Sequence, residues 1–301
     1  MINLEELTGL CEKLGCRIIP ECPLSEYVTF RFGGCCRALI SINSAQSAAE
    51  LIGYMKDNSI RYGIIGRGSN IIVDDNGFDG VILLFGGDFA SIEITGNIIR
   101  CDAGALLASA CVHAQQAGLS GMENLFGIPG TVGGALYMNA GAYGTEMNDI
   151  VISAEYLDED GKIRTISKEN MELSYRHSIF SGRSCVILSV TMQLVNGEPD
   201  EIKNAMNECM AKRSAKQPLE YPSAGSTFKR PEGSYASLLI DQCGLKGMRC
   251  GGAMVSEKHS GFVINMGYAT CADVLELCSE IKKIVKEKTG YTLELEPVIL
   301  R

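Results

Sequence analysis

Two glycine-rich segments carry the residue types that bind phosphate through the main chain. The pentapeptide G-R-G-S-N at residues 66–70 follows R-Y-G-I-I at 61–65 and precedes I-I-V at 71–73, so we expect a strand, a glycine turn and a second strand. Consecutive backbone amides in such a turn form a concave nest for anions, and the Ser69 hydroxyl and Asn70 amide add donors for a diphosphate. A plain hairpin turn explains the pentapeptide equally well, since G-x-G-x-x-G and the Walker lysine are absent.

The longer segment covers residues 118–144 and ends in M-N-A-G-A-Y-G. Glycine at this density weakens regular elements, but it lets backbone N–H groups approach a large ligand, because glycine has no Cβ and adopts positive φ angles. The alternative is structural: the glycines turn a buried corner between strands. The segment alone leaves both interpretations open.

Three further motifs concentrate polar side chains, at residues 175–178 (Y-R-H-S), 221–229 (Y-P-S-A-G-S-T-F-K) and 294–297 (E-L-E-P). The planar guanidinium of Arg176 can bind a carboxylate through two hydrogen bonds, which a lysine cannot do. Ser226 follows Ala-Gly, where a serine more often caps a backbone turn. Arg176 equally fits an exposed turn, so the motifs gain a specific meaning only as a set.

As a set, and in this order, the motifs resemble the UDP-N-acetylenolpyruvoylglucosamine reductase (UDP-N-acetylmuramate dehydrogenase) family. The resemblance runs from T-F-R-F-G-G at residue 29 to Glu296 and includes G-R-G-S-N, G-I-P-G-T-V-G-G-A, M-N-A-G-A-Y-G, Y-R-H-S-I-F, A-K-Q-P, A-G-S-T-F-K and V-S-E-K-H. It implies an α+β fold, with a two-subdomain FAD-binding domain of the vanillyl-alcohol-oxidase (PCMH) type and a smaller α+β substrate-binding domain. The short C-terminal part is similar to the shorter, type II form of the family.

The resemblance also implies an activity. NADPH would reduce noncovalently bound FAD, and the enolpyruvyl group of UDP-N-acetylglucosamine enolpyruvate would then be reduced to give UDP-N-acetylmuramate, a cytoplasmic step of peptidoglycan and cell-wall synthesis. No histidine stands in G-R-G-S-N to attach the flavin covalently. Two alternatives stay open: an FAD-dependent oxidase of an alcohol or hydroxy acid, and a noncatalytic flavin or sugar-nucleotide binding module. We expect a monomer.

Three catalytic residues are implied by the resemblance: Arg176, Ser226 and Glu296. Hydride addition to the vinyl group leaves negative charge spread into the substrate carboxylate, and preorganised donors stabilise that charge in a water-poor site. Arg176 is expected to clamp the carboxylate, and Ser226 to protonate the carbon beside it. Glu296 is expected to stabilise the enolate as a protonated group, with Glu294 as the alternative carboxyl.

The matching motifs also imply binding residues. The cofactor-binding residues are Gly66, Arg67, Gly68, Ser69, Asn70, Gly127, Ile128, Pro129, Gly130, Thr131, Gly133, Gly134, Asn139 and Gly141. The substrate-binding residues are Tyr175, Lys216, Lys229, Arg230, Lys258 and His259. Arg230 stands where the family often has asparagine, and Pro297 and Val298 replace its more usual valine and arginine, so we expect local contacts to differ there.

The composition argues against several classes of protein. With 301 residues, 46% hydrophobic and 21% charged, the chain can bury more than one core. A net charge of −9 argues against nucleic-acid binding, which needs a broad basic face. The 13 cysteines are odd in number and form no C-x-x-C pair, so we expect reduced thiols and no metal site. We expect no membrane partner, because no apolar run reaches the roughly 18 residues of a membrane helix and no signal peptide is evident.

Hydrophobic spacing and capping signals predict the elements that position these residues. We predict helices at 3–15, 45–57 (capped by Ser44), 106–116, 201–211 (capped by Asp200), 235–241 and 272–288. We predict strands at 28–31, 61–65, 71–73, 81–85, 92–94, 98–101, 151–157, 163–166, 186–194, 261–264 and 293–295, with a mainly antiparallel sheet between 151 and 195. The predicted domains are 1–90 and 91–196, the two FAD-binding subdomains, and 197–301, the substrate-binding domain whose C-terminal strand returns to the active site.

Overall fold

The structure of the protein is a computed structural model that describes residues 2–301. Within these residues the helices are α1 Leu4–Leu14, α2 Ala45–Asp57, α3 Leu107–Gln116, α4 Val132–Tyr137, α5 Met147–Ile150, α6 Pro199–Lys216, α7 Ala236–Gln242 and α8 Cys271–Thr289. The strands are β1 Arg17–Pro23, β2 Cys35–Ile42, β3 Tyr62–Ile65, β4 Ile71–Val73, β5 Phe78–Phe85, β6 Ile92–Thr95, β7 Ile98–Asp102, β8 Leu119–Ser120, β9 Gly141–Ala142, β10 Thr145–Glu146, β11 Val151–Leu157, β12 Ile163–Ser167, β13 Val186–Gln193, β14 Val195–Asn196, β15 Arg249–Cys250, β16 Ala253–Val255, β17 Val263–Asn265 and β18 Val298–Leu300. The predicted mixture of helices and strands is confirmed.

Capping residues explain where the first two helices begin and end. The Asn3 side chain accepts a hydrogen bond from the Glu6 amide at the start of α1, and Gly15 ends that helix with a φ of 66°. Ser44 and Ser47 form a capping box at the start of α2. Both helices are confirmed to within one residue at each end.

The described chain forms two compact units, each with its own hydrophobic core. The first comprises residues 2–20, Ala38–Arg67 and Gly80–Lys212. It contains a five-stranded sheet of order β12-β11-β13-β7-β6, in which every neighbouring pair is antiparallel. The predicted antiparallel sheet is therefore confirmed. Helices α3 and α4 pack beside it, and α4 contacts β13 directly.

The strand that precedes the glycine turn is held by a neighbour in the first unit. β3 pairs in parallel with β5, with Tyr62 opposite Val81 and Ile65 opposite Leu84. The strand that follows the turn, β4, pairs with β18 instead. The two strands that flank residues 66–70 therefore do not form a hairpin with each other, and the hairpin alternative is wrong.

The second unit comprises Glu21–Arg37, Gly68–Asp79 and Arg213–Arg301. Helices α7 and α8 and the antiparallel strands β15-β16-β17 build its core, in which Leu277 and Ile281 of α8 are fully buried. Three separate stretches of chain therefore have to meet before this unit is complete.

Residues 28–31, predicted as a strand, form a turn instead. Arg31 has a φ of 58°, and its amide donates to the Val28 carbonyl at 3.2 Å. Val28 and Phe30 are 4% and 1% exposed, so the alternation of buried residues that favoured a strand is real. The positive φ at Arg31 nevertheless breaks the extended backbone, which an apolar pattern alone does not reveal.

Helix α6 is longer than predicted, and Asp200 is not its cap. The helix begins at Pro199 and ends at Lys216. Proline suits the first helical position because that residue's N–H has no intrahelical partner. Asp200 therefore lies inside the first turn, where its charge favours the helix N-terminus.

The C-terminal strand lies a few residues beyond its predicted position. Residues 293–295 form no strand, and Leu295 makes only an isolated bridge with Phe228. The strand is β18, in parallel register with β4, with Val298 opposite Ile71. Short strands whose partners are distant in sequence give little local signal. The predicted strand at 261–264 is likewise displaced and is β17.

The cysteines lie mostly in the cores. None of the 13 forms a disulfide, and residues 2–301 contain no group of three or more histidine, cysteine or acidic side chains suited to a metal ion. Burial raises the pKa of Cys11, Cys36, Cys101 and Cys278 to about 12. These thiols therefore stay protonated at neutral pH. No described helix has the length and apolarity to cross a membrane.

Candidate functional site

In the first unit, Gly66 lies against the longer glycine segment. A Cβ placed on Gly66 would lie 2.5 Å from Thr131 Oγ1 and 2.9 Å from Thr131 Cγ2. Thr131 is 4% exposed and caps α4 by accepting a hydrogen bond from the Gly134 amide at 3.3 Å. The structure therefore brings together the two glycine motifs that the sequence singled out, and glycine at position 66 permits the contact.

The start of α4 is tied to the chain that precedes α3. The Val132 amide donates to the Ala105 carbonyl at 2.8 Å, and the Gly133 amide to the Ala103 carbonyl at 2.9 Å. A Cβ on Gly133 would lie 2.6 Å from the Ala103 Cβ. These N–H groups bond within the protein, so Gly133 has a packing role that the sequence did not reveal. Residues 127–130 lie before this anchored part, and Pro129 among them is exposed.

In the second unit, Gly68 is fixed by its neighbours. Its φ is 64°, and an added Cβ would lie 2.2 Å from the Tyr27 carbonyl oxygen and 2.7 Å from Val28 Cα. The Gly68 carbonyl accepts a hydrogen bond from the Thr29 amide at 3.2 Å. Both its conformation and its surroundings therefore require glycine.

Asn70 connects the glycine turn to the predicted catalytic Glu296. Its Nδ2 donates to the Glu296 carbonyl at 3.4 Å, and its own carbonyl accepts from the Val298 amide at 2.9 Å. The half-buried Glu296 is thereby held by its main chain within the second unit. Two motifs that the sequence analysis assigned to cofactor and to catalysis are adjacent in the structure.

The loop of Ser226 meets the Glu296 segment through the backbone. The Glu296 amide donates to the Thr227 carbonyl at 3.1 Å. Thr227 is 2% exposed, its amide donates to Gly261, and its hydroxyl accepts from the Val263 amide at 2.8 Å. The exposed Ser226 directly precedes this anchored residue. The backbone hydrogen bond of Glu296 is therefore made to the residue next to Ser226.

Lys229 and Glu294 form an ion pair between the Ser226 loop and the Glu296 segment. Lys229 Nζ lies 3.7 Å from Glu294 Oε2, and the two side chains are 41% and 73% exposed. The Lys229 amide also donates to the Glu294 carbonyl at 2.8 Å. Glu294, the alternative catalytic carboxyl, is thus an exposed partner of a lysine, whereas Glu296 is half-buried.

Arg176 lies in the first unit, on a tight turn. The main chains of Ser174 and His177 exchange two hydrogen bonds of 3.1 Å each, and Tyr175 and Arg176 form the two-residue tip. Arg176 has a φ of 54°. Its Nη2 donates to the Gly141 carbonyl at 3.4 Å, and its guanidinium lies 5.0 Å from the centre of the Tyr175 ring.

Asn139, predicted to bind the cofactor, uses its side chain inside the protein. Nδ2 donates to Glu146 Oε2 at 2.9 Å and to the Ser174 carbonyl at 3.0 Å. Oδ1 accepts a hydrogen bond from the Asn148 amide at 2.8 Å. At 1% exposure, this amide presents no polar group to solvent.

The remaining predicted substrate residues of the second unit have separate partners. Lys258 Nζ lies 3.5 Å from Glu220 Oε2, and the Arg230 guanidinium lies 4.1 Å from the centre of the Tyr235 ring. His259 is connected to the Ser226 loop, because its Nδ1 accepts from the Gly261 amide at 3.2 Å. Burial lowers the pKa of His259, which favours the neutral ring. Lys216 is the last residue of α6.

Thr29 is a site residue whose role the sequence did not predict. Its Oγ1 donates to the Ser223 carbonyl at 2.6 Å, and its amide donates to Gly68. One residue therefore connects the glycine turn to the loop that carries Ser226. The sequence placed Thr29 in the T-F-R-F-G-G motif, but that motif does not predict which residues Thr29 contacts.

Comparisons with known proteins agree with this arrangement of motifs. The profile of an FAD binding domain matches residues 36–167, and that of the C-terminal domain of UDP-N-acetylenolpyruvoylglucosamine reductase matches residues 217–300. UDP-N-acetylenolpyruvoylglucosamine reductase of Clostridium botulinum strain Alaska E43 is 44% identical over 277 residues, 92% of this chain and 91% of that protein. The chain belongs to the UDP-N-acetylenolpyruvoylglucosamine reductase family.

Another member of the reductase family, from Clostridium perfringens strain 13, is 43% identical over 283 residues, 94% of this chain and 93% of that protein. The crystal structure of UDP-N-acetylenolpyruvylglucosamine reductase from Thermus caldophilus matches with a TM-score of 0.80 and 33% identity, covering 95% of this chain and 99% of that one. The predicted family and fold class are confirmed. As a member of the reductase family, the protein is an FAD-containing oxidoreductase.

The glycine turn fits the diphosphate of FAD. Gly66 packs against Thr131, and Gly68 against Tyr27 and Val28, so the turn follows a path that a Cβ at either position would block. Arg67 between them is exposed and supplies positive charge, and Ser69 adds a hydroxyl donor. These are the groups that a bound diphosphate requires.

Proposed function

We propose that the protein reduces the enolpyruvyl group of UDP-N-acetylglucosamine enolpyruvate with electrons from NADPH and forms UDP-N-acetylmuramate for peptidoglycan. The observation that carries this proposal is 44% identity, over 92% of the chain, to an enzyme named for that substrate. FAD supplies the two-electron transfer between the two substrates when bound. Residues 66–70 hold its diphosphate, and residues 127–131 with Gly141 line the rest of its path.

Arg176 binds the carboxylate of the enolpyruvyl group in this proposal. It lies at the tip of a two-residue turn, stacked against Tyr175. A guanidinium carries five N–H donors, so its contact with Gly141 is compatible with two further hydrogen bonds to a carboxylate. Drawing electron density toward the carboxylate makes the vinyl group a better hydride acceptor.

Ser226 and Glu296 act on the carbon skeleton of the substrate. Ser226 gives its proton to the carbon beside the carboxylate, and the strongly basic enolate makes an alcohol a sufficient acid. Glu296 donates a hydrogen bond to the developing negative charge. Support comes from the backbone contact between Glu296 and Thr227, the residue after Ser226, which fixes the two segments side by side.

Cationic side chains of the second unit bind the UDP-sugar. Lys216, Lys229, Arg230 and Lys258 supply the charge for its diphosphate, and His259 and Tyr175 contribute neutral contacts. We further propose a monomeric enzyme with domain limits at residues 1–90, 91–196 and 197–301. We also propose that the reaction takes place in the cytoplasm.

The proposal is tested by anaerobic stopped-flow absorbance of the FAD-loaded enzyme. NADPH should bleach the yellow flavin colour, and UDP-N-acetylglucosamine enolpyruvate should restore it quickly. Colour that returns only when oxygen is admitted would support the oxidase alternative. Flavin that is bound but never bleached by NADPH would support the binding-module alternative.

Ser226→Ala separates the two half-reactions. We expect NADPH to bleach the flavin at the wild-type rate and the substrate to restore it about 10²- to 10⁴-fold more slowly, because the proton donor is missing. Ser223→Ala is the matched control, since it removes a hydroxyl from the same loop whose only described bond is to the Gly225 amide at 3.4 Å. A normal second half-reaction in Ser226→Ala would remove Ser226 from its role.

A further inference from the structure

The two ends of the turn that carries Arg176 are held by one short segment. Asn139 bonds to the Ser174 carbonyl at 3.0 Å at one end. At the other end, Ser178 is 0% exposed and its hydroxyl donates to the Tyr137 carbonyl at 2.7 Å. The turn therefore cannot move without breaking a buried hydrogen bond.

The second donor of the Asn139 amide reaches the hairpin on which the guanidinium rests. Glu146, which accepts this bond, pairs with Gly141 in the β9–β10 ladder. The Gly141 carbonyl accepts the hydrogen bond from Arg176. One amide thus fixes both the turn from which Arg176 extends and the strand that its guanidinium touches.

Backbone conformation in this region is also unusual. Asn139, Tyr143 and Arg176 have φ angles of 41°, 52° and 54°. Non-glycine residues keep left-handed conformations only where their surroundings hold them, and such residues cluster at functional sites. The side chain that connects the turn to the hairpin is that of Asn139.

We infer that Asn139 is a positioning residue for Arg176: its buried amide sets the direction of the guanidinium toward the substrate carboxylate. The inference rests on the proposed function, in which Arg176 binds that carboxylate. It assigns the Asn139 side chain to the second half-reaction, whereas its sequence motif implied a contact with FAD.

The test is a double-mutant cycle with Asn139→Asp and Arg176→Ala in the FAD-loaded enzyme. Aspartate keeps the shape and the acceptor for Asn148 but loses both donors. We expect reoxidation by the enolpyruvyl substrate to slow about 10- to 100-fold, the usual result of displacing a catalytic group by about 1 Å. Bleaching by NADPH and the affinity for FAD should stay within about twofold of wild type. In the Arg176→Ala background, Asn139→Asp should slow reoxidation by less than about twofold, because the group it positions is gone.

Two further variants provide a control and a substitute for Asn139→Asp. Asn124→Asp makes the same chemical change beside the same hairpin, where the Asn124 amide donates to Thr145 Oγ1 at 3.0 Å and to the Tyr143 carbonyl at 3.4 Å, and not to the two acceptors of Asn139. We expect it to slow reoxidation by less than about threefold. If Asn139→Asp fails to fold, Glu146→Leu carries the test, since it removes one acceptor of the Asn139 amide at a half-buried position.

The outcomes distinguish this inference from the proposed function. A wild-type enzyme whose flavin is not reoxidised by the enolpyruvyl substrate refutes the proposed function and the inference with it. If the wild type is active, full additivity of Asn139→Asp and Arg176→Ala refutes the inference alone. A loss of FAD affinity in Asn139→Asp, with reoxidation unchanged once FAD is saturating, refutes it as well.

Discussion

Gly68 should be among the least replaceable residues of the second unit. In Gly68→Ala the left-handed φ of 64° costs about 1–2 kcal/mol for any residue with a Cβ. The new Cβ would also lie 2.2 Å from the Tyr27 carbonyl oxygen, so one of two main chains has to move by about 1 Å, and overpacking of this kind costs about 1–3 kcal/mol. The free energy of unfolding should therefore fall by about 2–5 kcal/mol, a large part of the 5–15 kcal/mol typical of a folded protein.

Gly244→Ala is the matched control for this prediction. Gly244 has a φ of 73° and no atom within 4 Å of an added Cβ, so its replacement should cost only the conformational part, about 1–2 kcal/mol. Urea unfolding followed by circular dichroism, with FAD saturating for every variant, measures both values. Equal losses for the two variants would show that the close approach of Tyr27 to Gly68 is absent and would refute the reasoning.

Two further predictions concern the first glycine contact and the buried thiols. Gly66→Ala should weaken FAD retention and lower the free energy of unfolding by about 1–3 kcal/mol, because its Cβ meets the buried Thr131; Gly86→Ala, whose nearest atom lies 4.0 Å away, should do neither in flavin-release and urea assays. The free energy of unfolding should also fall as pH rises from about 9 toward about 12, since Cys36 and Cys101 remain protonated in the folded chain up to a pKa of about 12, whereas unfolded thiols ionise near 9. Urea titrations between pH 8 and pH 10.5 check this, and a flat profile there would contradict the burial of these thiols.

Local signals in the sequence predicted the elements that have local causes. Helices α1 and α2 follow from leucine spacing and from caps such as Ser44, and both formed as expected. The turn at 28–31 was missed because it depends on a positive φ at Arg31, whose apolar neighbours are buried just as they would be in a strand. Strand β18 was displaced because its partner, β4, lies far away in the sequence.

In the candidate site, too, features with a local cause were predicted and contacts between distant residues were not. The motifs indicated the glycine turn, Arg176, Ser226 and Glu296 as candidates, because each belongs to a contiguous pattern in one stretch of chain. The partners of those motifs could not be predicted, since Asn139 meets Ser174 and Thr29 meets Ser223 through the folded chain. Gly133 packs against Ala103, a contact that the glycine pattern alone does not predict.

The contact between Asn70 and Glu296 joins residues that are 226 positions apart in the chain. During synthesis β4 leaves the ribosome long before β18. The first core can therefore begin to form while Glu296, the partner of Asn70, has not yet been made. Pairing over such a separation is slow, since a long loop has to close before any hydrogen bond is gained. The glycine turn is therefore expected to be joined to Glu296 only in the last stage of folding. Binding of the flavin in a newly made chain should then report completion of the second unit.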